Sequence, residues 1–212
     1  EGLTLNHFNM VQNSDFSVTG TDGKPKAWTV GKNDASYVKV LPLETPKDEF
    51  HAPDCLKHDN TQKIRLAGRY DRTVTYYQQL RHYGKIGDRF TVGGWCSSFA
   101  KKNDPDSYIY CRITVLFTAG NPDNANCYWA TGGSAVFNAE EGNWQFASAG
   151  IVAPNNCTYI RVVLQMNRQM NFADFTGIYL YPEAFGTQYI YDKNGNRKTR
   201  KMLYGGQEKS EF

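Results

Sequence analysis

The chain has 212 residues, 24 Lys and Arg against 21 Asp and Glu, a net charge of +3, and 14% aromatic residues. That balance excludes a broad electrostatic surface for nucleic acid or an anionic membrane, and no run reaches the roughly 18 apolar residues of a membrane-inserted helix. The 14 Tyr, 12 Phe and 19 Gly against 4 Met favour β-strands joined by turns, in a chain long enough for one large sandwich.

In chain order, strand-like runs are predicted at 28–32 (WTVGK), 36–43 (SYVKVLPL), 62–68 (QKIRLAG), 72–83 (RTVTYYQQLRHY), 88–100 (DRFTVGGWCSSFA) and 107–120 (SYIYCRITVLFTAG). Four more follow at 133–139, 143–153, 158–167 and 177–184. Many alternate apolar and polar residues, as half-buried strands do. In the 158–167 run, Ile160, Val162, Leu164 and Met166 share one face, and Arg161, Val163, Gln165 and Asn167 the other. Cys111, Ile113, Val115 and Phe117 make a second inward stripe with Ile109. Turn residues cluster between the runs, as in TDGKPK (21–26), KKNDPD (101–106) and AGNPDNAN (119–126). No segment carries a capped helical period. About ten short strands at this spacing predict an all-β jelly-roll sandwich of two antiparallel sheets over residues 1–184.

One hairpin can be set in register from its turn. With the turn centred on 101–106, Cys96 falls opposite Cys111, Phe99 opposite Tyr108 and Trp95 opposite Arg112. The cysteines then point inward, and Trp95 and Arg112 point outward as a cation–π pair. The five cysteines, Cys55, Cys96, Cys111, Cys127 and Cys157, are odd in number and contain no C-x-x-C spacing.

The order of these signals resembles that of bacterial carbohydrate-binding-module jelly rolls, of galactose-binding-like type. The matching phrases are QNSDFS with Asn13 and Phe16, KAWTV with Trp28, YYQQL, GKIGDRFTVGGW, NWQFASAGIVAP, YIRVVLQM and FTGIYLYPE, covering roughly residues 9–183. The resemblance implies a non-catalytic module for a cell-wall or extracellular glycan. It also implies a structural calcium, whose usual carboxylate positions here hold Ser17, and Thr176 with Gly177. Asp15 and Asp174 are the nearby carboxylates, at shifted positions.

The segment YIYDKNGNRKTRKMLYGG (189–206) resembles a YD repeat of the Rhs/YD-repeat proteins, through Tyr191, Asp192, Gly195, Asn196 and Arg197. Gly supplies a left-handed turn position, and Asn and Asp tolerate the tight geometry. Lys193, Arg197, Lys198, Arg200 and Lys201 make this stretch locally basic. One repeat cannot bury its own face, so 185–212 is expected to be a hairpin or flexible tail that begins a repeat region. The chain opens on Glu1 and reads as a piece of a large secreted or cell-surface protein. The partners implied are a glycan and the neighbouring YD-repeat shell. On this reading, a ligand-free spacer or docking domain of that shell is the alternative function.

Sandwiches bind sugars through aromatic platforms that stack on the C–H face of a pyranose. The predicted hairpin offers Trp95, Tyr110 and Arg112 outward, with Tyr77 or Gln79 on an adjacent strand. A rival site is the loop pair Tyr128 and Trp129. His51, Cys55 and His58 could offer zinc ligands but lack a fourth at regular spacing. No carboxylate pair for glycoside hydrolysis can be aligned around Glu49, Glu140 or Glu141. No nucleophile, metalloprotease, phosphate-loop or dinucleotide motif is present, so no enzyme activity and no catalytic cofactor are expected.

Overall fold

A computed structural model describes residues 9–46, 48, 50–101, 110–168, 170–183, 185–191, 197–204 and 207–210. It is an all-β jelly-roll sandwich. The strands are β1 (Trp28–Val30), β2 (Val38–Pro42), β3 (Gln62–Ala67), β4 (Val74–Gly84), β5 (Arg89–Lys101), β6 (Tyr110–Thr118), β7 (Ala130–Phe137), β8 (Gln145–Val152), β9 (Cys157–Asn167) and β10 (Met170–Pro182). They form two antiparallel five-stranded sheets, β1-β4-β9-β6-β7 and β2-β3-β10-β5-β8. All ten predicted runs become strands. Among the described residues, helix is confined to a four-residue turn, α1 (Asp54–Lys57), and a 3₁₀ turn at Ala35–Tyr37.

Alternation is what makes these segments strands, because each sheet has one face on the core and one outside. In β9, Ile160, Val162, Leu164 and Met166 are buried against Ile113, Val115 and Phe117 of β6 and against the second sheet's Phe90, Phe175 and Leu180. Burying this many large side chains, at about 1.5–3 kcal/mol each, offsets the backbone entropy lost on ordering.

The Asn-x-x-Phe phrase has a local physical cause. Asn13 and Phe16 both adopt positive φ, 52° and 62°. The Asn13 side chain accepts from Val18 N and donates to the carbonyls of Val18 and Lys26, which closes the turn. Phe16 is thereby driven into the core, 5.0 Å from the Trp28 ring and 6.1 Å from Tyr76. The buried Gln78 side chain exchanges two hydrogen bonds with the Gln12 backbone, and Trp28 Nε1 donates to the Gln12 and Asn13 carbonyls.

Residues 9–14 run as a strap along β10. Met10 N donates to Leu180 O, and the Asn9 side chain joins Ile178 O and Leu180 N. The β3 ladder covers Phe172–Phe175 of β10, so the strap takes up the stretch of β10 that β3 leaves open. Between them the β10–β5 register shifts at Thr176/Tyr179, where Gly177 takes φ 62°, a conformation that favours glycine.

The predicted β5–β6 hairpin is corrected. β5 pairs with β10 and β8, while β6 pairs with β9 and β7, in the opposite sheet. Trp95 has Thr176 and Phe146 as register partners, and Arg112 has Gln165 and Val136. Cys96 and Cys111 do meet, but across the core between sheets. Burial and the adjacent Cys111 thiol push the Cys96 thiol well up. Ser98 Oγ, 3.1 Å from Cys111 Sγ, adds a polar contact there. A hairpin and an arch between sheets give the same inward stripes, so alternation alone does not separate them. The turn assigned to 101–106 lies, from 102 on, outside the described residues, as do Tyr108 and Ile109.

A further antiparallel sheet follows, of β11 (Phe185–Tyr191), β12 (Arg197–Tyr204) and β13 (Gln207–Ser210). β11 and β12 pair from Phe185↔Tyr204 to Tyr191↔Arg197. Asp192, Gly195 and Asn196 of the YD motif lie outside the described residues.

Candidate functional site

The outer face of the β1-β4-β9-β6-β7 sheet gathers most of the sequence-predicted binding residues. Register aligns Tyr77 with Val163, Val163 with Thr114, Gln79 with Arg161, and Gln165 with Arg112. Tyr77, Gln79, Tyr110 and Arg112 therefore share one face, although β4 and β6 are not neighbours. β9 lies between them and contributes Arg161 and Gln165.

Arg161 is the centre of this face. Its guanidinium lies 4.3 Å from the Tyr77 ring centroid and 4.0 Å from that of Trp129. Arg161 Nη2 donates to Gln79 Oε1 at 2.7 Å, while its Nε is buried with no hydrogen-bond partner. Burial lowers the Arg161 pKa, against the opposing pull of Tyr77 and Cys127. Beside it, Arg112 lies 4.0 Å from the Tyr110 ring and donates from Nε to Gln165 Oε1 at 2.7 Å and from Nη2 to the Tyr110 hydroxyl at 3.3 Å. Thr114 Oγ1 also donates to Gln165 Oε1, at 2.8 Å.

The two sites that the sequence offers as rivals are thus one. The 119–129 loop between β6 and β7 brings Trp129 over Arg161, while Tyr128 is 78% exposed. The rings of Tyr77, Tyr110 and Trp129 are half-buried, and each carries a guanidinium on one face, which is thereby closed to stacking. The Tyr128 ring is open to solvent. Arg161 is the central residue that the site prediction omitted; its signal was the polar stripe of β9.

Trp95 is not part of this face, and its proposed pairing with Arg112 is not formed. It lies on the outside of the other sheet, half-buried, packed with Trp144 against Leu43, Ala52 and Leu56 of the 43–61 segment. Its ring is 5.4 Å from Phe146, which stacks at 6.1 Å on Tyr179, itself 4.9 Å from Tyr181. These rings line a cavity of about 300 Å³ together with Asn9 and Asn60.

The calcium candidates do not fit a cation. Both oxygens of Asp174 are taken by Arg65, at 2.7 Å each, and Lys63 lies 3.1 Å from one of them. Asp15 accepts from Ser17 and, at longer range, from Thr61. Calcium takes six to eight oxygens with carboxylates among them, and these two are committed elsewhere. At the sequence-predicted zinc residues, His51 lies 3.4 Å from Glu44 and His58 2.7 Å from Asp59. Among the described residues, no three His, Cys, Asp or Glu side chains converge as a metal site.

No protein-family model matches the chain, and no curated protein matches it. Solved structures resemble its fold at low identity. A cyclase from Fischerella sp. TAU has a TM-score of 0.57 at 11% identity, over 82% of this chain and 96% of that one. The CBM22-2 xylan-binding domain from Paenibacillus barcinonensis has a TM-score of 0.50 at 14% identity, over 80% and 97%. The enzymatically active domain of bacteriophage CBA120 tailspike protein 4 has a TM-score of 0.54 at 11% identity, over 83% of this chain, which spans 22% of the tailspike chain. The shared feature is the jelly-roll fold.

Proposed function

We propose that this chain is a non-catalytic glycan-binding module that presents the outer face of the β1-β4-β9-β6-β7 sheet to its ligand. The observation that carries this is the cluster around Arg161, in which rings, guanidinium groups and side-chain amides converge on one sheet face. Guanidinium and amide groups hydrogen-bond hydroxyls and ring oxygens, and Tyr128 supplies an aromatic face for a pyranose. A rigid sheet holds the amides and arginines in place, and one loop adds the aromatics. The described side chains projecting from this face of β4, β9 and β6 include no carboxylate, so a paired-carboxylate hydrolase has no residues to work with there. The fold alone does not assign the function, since jelly rolls serve many uses, including the xylan-binding domain and the cyclase named above. A glycan array probed with the full chain beside Trp129→Ala and Tyr128→Ala tests the reading. Specific binding weakened in both variants is the expected result. Binding that both leave intact moves the site away from this face.

The same proposal places the module in a secreted or cell-surface YD-repeat protein, next to a repeat shell. Its support is the Tyr191, Asp192, Gly195, Asn196 and Arg197 motif, with Tyr191 and Arg197 paired at the end of the β11–β12 hairpin. Truncation after residue 184 should leave the thermal midpoint of the sandwich nearly unchanged, whereas a large drop overturns the division at 184/185. The alternative, a spacer or docking domain of that shell, draws on the half-burial of Trp95 under the 43–61 segment. It is favoured if the array shows no binding at all.

A further inference from the structure

Among the described residues, the arginines that make side-chain contacts differ in the partners they hold. Arg65, Arg69, Arg72 and Arg89 each hold a carboxylate. Arg112 and Arg161, on the candidate face, hold only neutral partners among the described residues: Gln165 and Tyr110 for one, Gln79 and two aromatic rings for the other. Arg81, farther along β4 on the same face, bonds the Tyr83 hydroxyl.

A guanidinium moved out of water without a counter-charge is a cost to the fold. Here the cost is concentrated on one face. Arg161 is partly desolvated by Tyr77 and Trp129, and its Nε has no acceptor although it is shielded from solvent. The neutral contacts fix the planes of both guanidinium groups, and no described carboxylate compensates their charge. Gln165 and Arg161 are four residues apart on β9, about 13 Å along the strand at its usual rise. Since Arg112 pairs with Gln165 in register, the two cations can engage separate units of one polymer.

We infer that this face binds a polyuronate, a glycan whose sugar carboxylates take the place of the missing counter-charge on Arg161 and Arg112. This rests on the glycan-binding reading above and narrows it. A planar guanidinium bonds a carboxylate through two parallel N–H groups. The rings at its faces keep water from competing, and the amides of Gln79 and Gln165 hold the guanidinium planes in position.

The test uses the full chain and two forms of one polymer, polygalacturonate and its fully methyl-esterified derivative, with xylan as a neutral comparison. Affinity electrophoresis or calorimetry should show binding to polygalacturonate that weakens as salt is raised and is lost on esterification. Arg161→Gln should weaken it about tenfold or more, as loss of a charge-assisted contact does. Arg161→Lys, which keeps the charge without the fork, should fall between. Arg89→Gln, a surface arginine outside this face, should bind as the parent does, and thermal melts establish that each variant is folded. Equal binding to the esterified polymer, or unchanged affinity in folded Arg161→Gln, overturns the inference. Binding confined to xylan overturns it as well and leaves the glycan-binding reading standing. Absence of binding to all three polymers and to the array overturns both.

Discussion

Asp174→Asn is the sharpest probe of how the outer side of the β2-β3-β10-β5-β8 sheet is held. Asp174 is 2% exposed and receives three charge-assisted contacts, two from Arg65 at 2.7 Å and one from Lys63 at 3.1 Å. Lys63 is also 2% exposed and has one other carboxylate, Asp48, at 3.1 Å. The amide removes the charge and turns an N–H₂ group toward donors. Breaking a buried ion pair by removing one partner costs about 3–5 kcal/mol. Arg65 is partly solvated and also stacks at 3.7 Å on Phe172, so its share is discounted and the low end, about 3 kcal/mol, applies. For a domain of this size, that is a fall of about 6–12 °C in thermal midpoint. Differential scanning calorimetry or a circular-dichroism melt measures it. A fall under about 2 °C would show that the network behaves as a solvated ion pair, and that the 43–61 segment is held chiefly by its other contacts, among them Leu43, Ala52 and Leu56.

Three other outcomes are expected. Asn13→Ala removes the side chain that closes the 13–18 turn and should cost about 1–3 kcal/mol by urea denaturation, more than Asn121→Ala in the exposed loop. Asp48, which burial pushes up, is nonetheless held below the ordinary carboxylate range by the Thr45 amide and Lys63. Its folded pKa is thus depressed, so its stabilisation is full above about pH 4 and is lost as pH falls through the folded value; Asp48→Asn should flatten that part of the stability–pH curve, and an unchanged curve would count against the Lys63 contact. In the native state, a thiol reagent followed by mass spectrometry should label Cys55 and Cys127 and spare the buried Cys96, Cys111 and Cys157. Rapid labelling of Cys96 would mean that the two sheets separate there.

The strands were legible because alternation is a local property. Ile160 to Met166 and Cys111 to Phe117 show their buried faces in the sequence and keep them in the fold. Pairing was less legible, because it is decided by contacts far apart in the chain. The cysteines of β5 and β6 point to the same core from either a hairpin or an arch, and the correct answer depends on β9 and β10, which come some 50 to 80 residues later. The site followed the same division. Tyr77, Gln79, Tyr110 and Arg112 were read as outward-facing and are, but Trp95 was grouped with them through the wrong hairpin. Arg161 was visible on the polar stripe of β9, and only the insertion of β9 between β4 and β6 gives that stripe its neighbours.

The strap at residues 9–14 also has a mechanical meaning. Met10 bonds to Leu180, so the strap begins beside the C-terminal end of β10. Tension on the strap would act first on its bonds to β10 and then on the two that tie Gln12 to Gln78 of β4. A ligand on the outer face of that sheet would meet such a load only from the buried side of β4, where Gln78 holds Gln12.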